Sequence, residues 1–183
     1  DVPTHVLVGD FDGDGAEDLA AIANGAAELG VFMGVGDGTF VDREVYATDL
    51  SPVYQTSGDF NADGIVDLAV TMNEANAFGI YLGNGDGTFQ GMVLYGTNQE
   101  PRGICVADIN ADGRQDLVLA TRSAVGTGEL TIHCGDGDGA FLSGVSVATP
   151  AEPSRVIAAD FTADGHTDLA ATCPDPGPSG YVA

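Results

Sequence analysis

Oxygen-bearing side chains recur at alternate positions in four short stretches of this chain. In "GDFDGDGAEDLA", which starts at Gly9, Asp10, Asp12, Asp14 and Asp18 stand at positions one, three, five and nine, counted from the leading aspartate, and Gly15 stands at six. "GDFNADGIVDLA", from Gly58, repeats the pattern with Asp59, Asn61, Asp63, Asp67 and Gly64. "ADINADGRQDLV", from Ala107, supplies Asp108, Asn110, Asp112, Asp116 and Gly113. "ADFTADGHTDLA", from Ala159, supplies Asp160, Asp164, Asp168 and Gly165, but has Thr162 at position three.

Alternating oxygen ligands, a glycine at six for the sharp turn and a backbone carbonyl at seven are the front half of a calcium loop. The glutamate that closes such a loop at position twelve is missing, so the aspartate at nine is expected to supply the closing carboxylate. Carboxylates ~4 Å apart repel by roughly 1 kcal/mol in water and ~4 kcal/mol at an effective dielectric near 20. Three or four of them converge only if a cation compensates. Oxygen-only donors favour calcium over zinc or copper, and magnesium would require a tighter octahedron. At Thr162 a hydroxyl or a water fills the gap. The other reading of these loops is a set of Asp- and Gly-rich hairpin turns whose side chains cap backbone amides.

The leading aspartates Asp10, Asp59, Asp108 and Asp160 are spaced by 49, 49 and 52 residues. A second motif keeps step: "GVGDGTF" ends at Phe40, "GNGDGTF" at Phe89 and "GDGDGAF" at Phe141. Two motifs in register mark a structural repeat. Each unit reads as four strands. The first precedes the acidic loop, as in Thr4–Val8 or Arg102–Val106. The second follows it at once ("DLAAIA", "DLAVTM", "DLVLAT", "DLAATC"). The third is Leu29–Met33, Phe78–Leu82 or Leu130–Cys134, and the fourth follows the Gly-Asp-Gly turn, as in Met92–Gly96. The second strand is apolar without alternation, which predicts that both its faces are covered. The expected fold is therefore all-β: propeller blades of four antiparallel strands, about three and a half of them, with units near 1–50, 51–98 and 99–149 and a partial unit at 150–183.

The four loops and the apolar strands around them resemble FG-GAP repeats, the calcium-bearing blades of the integrin α-subunit propeller, related to repeats in bacterial secreted proteins and some fungal lectins. The resemblance covers nearly the whole chain. It implies one calcium held in the hairpin between the first and second strands of each blade, three to four per chain. It also makes the carbonyls of Ala16, Ile65, Arg114 and His166 the seventh-position ligands. The propellers it points to close with seven blades, about twice what is present here, so the chain reads either as a fragment or as a unit completed by other copies.

Composition sets the remaining bounds. Of 183 residues 44% are hydrophobic and 18% charged, a globular profile, and the formal net charge is −23. Such a surface repels nucleic acid and anionic membranes and suits cations. No apolar run approaches the ~18 residues a membrane span needs. The chain opens at Asp1 with no visible signal peptide, as a processed chain or an excised fragment would. Cys105, Cys134 and Cys173 sit in apolar runs and read as small buried hydrophobes. His5, His133 and His166 share no spacing, and no nucleophile–base–orienter set stands out, so no enzymatic role is expected. The Gly-Asp-Gly turns precede strands, not helices, which argues against phosphate binding. They place Phe40, Phe89 and Phe141 between blades. Tyr46, Tyr54, Tyr81 and Tyr95 read as cross-strand packing, with sugar-stacking surfaces as the alternative. The functional expectation is an extracellular calcium-binding module for adhesion, scaffolding or protein and glycan interaction, with self-association through open blade edges. Its rivals are a lectin-like propeller, a self-assembling filament subunit and a non-catalytic domain of a larger secreted enzyme.

Overall fold

Gly, Asp and Asn clusters cut the chain into short extended runs, and those runs form strands throughout. The computed structural model describes residues 3–49, 51–122, 127–174 and 181–182, and among them there are fifteen strands and no helix. The first sheet holds β1 (Pro3–Gly9), β2 (Asp18–Ala23), β3 (Glu28–Gly34) and β4 (Phe40–Ala47), in that order and antiparallel. The second holds β5 (Pro52–Gly58), β6 (Asp67–Met72), β7 (Ala77–Tyr81) and β8 (Val93–Gly96). The third holds β9 (Glu100–Ala107), β10 (Asp116–Arg122), β11 (Gly128–His133) and β12 (Val145–Thr149). The fourth holds β13 (Arg155–Ala159), β14 (Asp168–Cys173) and the short β15 (Tyr181–Val182). Most of the Pro/Gly-rich stretch before β15, residues 175–180, lies outside the described residues. These are propeller blades. Their first strands lie side by side, β1 against β5, β5 against β9 and β9 against β13.

Three apolar layers glue the blades together. Ile22, Leu29 and Val31 of the first blade meet Leu68, Val70 and Tyr81 of the second. Ala69, Phe78 and Ile80 on the other face of that blade meet Ile104, Leu117 and Leu119 of the third. Val118, Ala120 and Leu130 then meet Val156 and Ala171 of the fourth. Each large side chain so buried contributes roughly 1.5–3 kcal/mol of transfer free energy. The predicted two-sided burial of the second strand is seen in β6, every residue of which is buried, and in Asp116–Thr121 of β10. In β2 burial alternates instead, because among the described residues a neighbouring blade packs against one face of the first. No helix among the described residues is long and apolar enough to cross a membrane.

Candidate metal centres

Every acidic loop leaves the end of a first strand and is wound around its leading aspartate. Asp10 accepts from the N–H groups of Gly13 (2.8 Å) and Gly15 (3.0 Å). Asp59 accepts from Asp63 (3.1 Å) and Gly64 (2.9 Å), Asp108 from Asp112 and Gly113, and Asp160 from Asp164 and Gly165. The side chains at three and five cap amides two residues on: Asp12, Asn61 and Asn110 take the N–H at five, while Asp14, Asp63, Asp112 and Asp164 take the N–H at seven, that of Ala16, Ile65, Arg114 and His166. The glycine at six has φ of 84–87° in all four loops, a region that a Cβ disfavours. Position four is also left-handed, yet it is alanine in three loops, with φ of 58° at Ala62, Ala111 and Ala163.

The aspartate at nine has a second duty that the sequence reading did not assign. Asp18, Asp67 and Asp116 are at most 1% exposed. One carboxylate oxygen of each accepts the N–H at position two, from Phe11 (2.7 Å), Phe60 (2.8 Å) or Ile109 (2.9 Å). The other accepts the N–H of a glycine at the end of the third strand, from Gly34 (2.7 Å), Gly83 (2.8 Å) or Gly135 (3.0 Å). This carboxylate straps the acidic loop to the far side of its own blade. The glycine is required there, since a Cβ on Gly34, Gly83 or Gly135 would run into the backbone carbonyl at position eight of the loop. Burial pushes the Asp67 carboxyl above its ordinary range, against the pull of the Gly83 and Phe60 amides. The signal for this strap was in the sequence: an aspartate that opens a wholly apolar strand is buried with it.

In the first loop a strapped carboxylate, Asp18, also faces its neighbours. Asp10, Asp12 and Asp18 each bring one carboxylate oxygen within 4.8 Å of the others. Two oxygens that share a calcium at 2.3–2.6 Å stand at most about 5 Å apart, so this donor set fits such an ion. Each Asp18 oxygen uses one lone pair on an amide and keeps another. Among the described residues no other three acidic, histidine or cysteine side chains gather this closely. In the second and third loops position three is an amide, Asn61 or Asn110, so the corresponding donor is neutral. Asn61 donates to Asp63 at 2.8 Å. In the third loop Arg114 reaches back to Asp112 (2.6 Å) and to the Gly135 carbonyl (3.0 Å). The Arg114 amide and its guanidinium hold Asp112 below the usual carboxylate range. In the fourth loop Asp168 is half-buried and its Oδ2 takes both the Phe161 and the Thr162 amides (3.0 and 3.1 Å). The Gly165 amide lowers Asp160.

The second motif roofs the acidic loop of the blade before it. Gly87 donates to the Phe11 carbonyl at 3.1 Å, and Gly139 to the Phe60 carbonyl at 3.0 Å. Phe89 then meets Phe11 edge-on at 5.7 Å, and Phe141 meets Phe60 at 5.5 Å. Phe40 departs from the expectation of inter-blade packing: it is 42% exposed, because among the described residues no blade packs over that face of the first.

The contacts of Tyr46, Tyr54, Tyr81 and Tyr95 cross blades more than they cross strands of one blade. Tyr81 is buried and donates to the Ala47 carbonyl (2.8 Å), while the Tyr46 hydroxyl accepts from the Phe89 amide (2.9 Å). Tyr95 stacks on Phe78 at 5.0 Å and meets Phe141 of the third blade. Tyr54 lies between His5 (3.9 Å) and the Arg155 guanidinium (4.1 Å). His133 shares a hydrogen bond with the Leu142 carbonyl (3.1 Å) and meets Phe78 edge-on. The three cysteines are free; Cys173 is buried, and burial pushes the Cys105 thiol up to about 11.

A family model described as FG-GAP-like repeat matches residues 59–119 and 108–171. No curated protein matches the chain. Among solved structures, the chain is similar to one titled "Crystal structure of BBS1N in complex with ARL6DN, soaked with lead", at 14% identity and a TM-score of 0.57 over 92% of this chain. That likeness is one of fold. The chain spans 47% of the length of the protein it matches there.

Proposed function

The chain belongs to the FG-GAP-like repeat family, and on that footing we propose that it is an extracellular calcium-binding propeller module that presents a rigid surface to a protein partner, in adhesion or as a scaffold. It acts by binding and not by catalysis. The observation that carries the metal assignment is the buried aspartate at position nine. Asp18, Asp67 and Asp116 are enclosed carboxylates that receive two amides each, and among the described residues no arginine or histidine pairs with them. Buried charge is normally paired or bound to a metal. In the first loop the Asp10 and Asp12 oxygens complete a hard-cation site around it. An ion there would fasten the loop between the first and second strands and offset the repulsion among its acids.

Extracellular-type calcium sites have dissociation constants of about 10⁻⁴–10⁻³ M, matched to calcium outside cells, and a surface with net charge −23 favours such cations. A protein partner is supported by the family's blade architecture and by the similar structure, whose title places BBS1N in a complex with ARL6DN. The protein partner is preferred to a glycan because Tyr46, Tyr54 and Tyr95, the rings a sugar would stack on, each pack against another blade.

Thermal melting in excess calcium and in excess chelator, with bound metal counted per chain, tests this. Calcium at ten times its dissociation constant adds about 1.4 kcal/mol per site. The expected result is a higher melting temperature in calcium and three to four ions per chain. Identical melting curves with no bound ion would remove the metal from the proposal.

A further inference from the structure

The third acidic loop carries a cation of its own. Position seven is Ala16 in the first loop, Ile65 in the second and Arg114 in the third. In each blade that side chain lies against the first glycine of the Gly-Asp-Gly turn. A Cβ built on Gly36, Gly85 or Gly137 would stand 3.9, 3.1 or 2.9 Å from it. Ala16 and Ile65 end there, but Arg114 continues and its head turns back onto the loop.

One guanidinium nitrogen donates to Oδ2 of Asp112, the acid at position five, at 2.6 Å, while Nε donates to the Gly135 carbonyl at 3.0 Å. The Arg114 backbone amide donates to Oδ1 of Asp112 at 2.9 Å, so one residue engages both oxygens. Asp14 and Asp63 hold the same position and each caps the amide at seven, but among the described residues no arginine pairs with either. Gly135 is also the glycine whose amide Asp116 holds, at 3.0 Å. Arg114 therefore ties the acidic loop to the end of the third strand a second time, through the carbonyl. The first loop gathers four carboxylates, the second three, and the third three with a guanidinium among them. This third loop also seats the next blade, since Thr167 donates to the Asp108 carbonyl at 3.3 Å.

We propose, resting on the calcium reading of these loops, that Arg114 is the built-in cation of the third loop: it holds that loop closed without metal and makes it the last of the first three to take calcium. Calcium affinity follows the charge of the ligand set. A unit positive charge beside the site is worth about tenfold against a divalent ion even in water. An entering ion must also draw Asp112 away from the guanidinium. The pair is partly exposed, with 47% of the Arg114 side chain and 26% of that of Asp112 accessible, so it yields at high calcium and does not block the site. Calcium levels that fill the first two loops thus leave the third held by Arg114, and the seat of the fourth blade stays formed.

Calcium titration of the isotope-labelled full chain, followed by NMR at the position-six glycine amides of Gly15, Gly64 and Gly113, tests it. In the wild type the Gly113 midpoint is expected about tenfold above that of Gly64. Arg114→Gln should lower it by about tenfold with Gly15 and Gly64 unmoved, whereas Arg114→Lys, which keeps the charge, should leave it high. A merely structural role for Arg114 predicts the opposite sign, a weaker third site in Arg114→Gln. In excess chelator the Gly113 amide, which Asp108 holds at 2.8 Å, should exchange about two- to fivefold faster in Arg114→Gln than in the wild type, at unchanged Gly15 and Gly64 rates. A wild-type Gly113 midpoint equal to that of Gly64, or one that Arg114→Gln fails to lower, overturns the proposal. If no glycine responds to calcium, the calcium reading itself falls and the exchange rates in chelator still decide Arg114: an unchanged Gly113 rate overturns its role.

Discussion

Replacing Asp67 with asparagine in excess chelator isolates the strap from any metal. Asp67 is fully enclosed and accepts the Phe60 and Gly83 amides, both at 2.8 Å, one on each oxygen. Asparagine keeps one oxygen and turns an NH₂ toward the other amide, donor against donor. One hydrogen bond to a charged group, worth roughly 1.5–3 kcal/mol, is lost, and a buried N–H is left unpaired at ~1–3 kcal/mol; these overlap, so we expect a loss of about 2–4 kcal/mol. For a chain of this size each kcal/mol moves the midpoint by roughly 2–4 °C, so Asp67→Asn should melt about 5–15 °C below wild type. Asp63→Asn is the control, since Asp63 is exposed and caps Ile65 in its own loop at 2.8 Å. It should cost under about 1 kcal/mol in chelator. Differential scanning calorimetry of the three proteins decides the matter. If the two variants melt together, the buried carboxylate is not the strap described here.

Phe89→Ala should cost about 3–5 kcal/mol by chemical denaturation, because Phe89 is 6% exposed between Phe11 and Tyr46, while Phe40→Ala should cost under about 1 kcal/mol in the monomer. Gly64→Ala meets open space but forces a Cβ into φ of 84°, so it should cost about 1–2 kcal/mol, and Ala62→Gly, at φ of 58°, should be neutral or stabilising in the same assay. The Asp67 carboxyl is held above its usual range by burial, so without metal its ionisation costs the folded state stability as pH rises from the unfolded pKa through the raised one. A calcium ion favours the charged form, so carbon-detected NMR titration should show the Asp67 pKa falling when calcium is added.

The repeat was legible in the sequence because its two motifs keep one period and each carries its own turn chemistry. Strand positions followed to within a residue or two: the third strand of the second blade is Ala77–Tyr81 where the apolar run suggested Phe78–Leu82. What stayed hidden depends on which blade has a neighbour. "DLAAIA" and "DLAVTM" read alike, yet β2 alternates in burial and β6 does not. Phe40 and Phe89 end near-identical turns, yet Phe89 packs on the blade before it and is 6% exposed while Phe40 is 42% exposed. Tyr46 and Tyr81 gave no local sign of meeting across blades at 5.9 Å, since their contact joins residues 35 apart in the chain. The acidic loops revealed their spacing but not their division of labour, in which positions one, three and five wind the turn and position nine ties it to the third strand.

The most direct measurement is anomalous diffraction from crystals of the full chain grown in calcium. The account predicts a calcium peak in each of the first three loops. In the first it should lie about 2.3–2.6 Å from oxygens of Asp10, Asp12 and Asp18. Loops without anomalous density, with Asp10 and Asp12 turned to solvent and Asp18 bonded to its two amides alone, would contradict it.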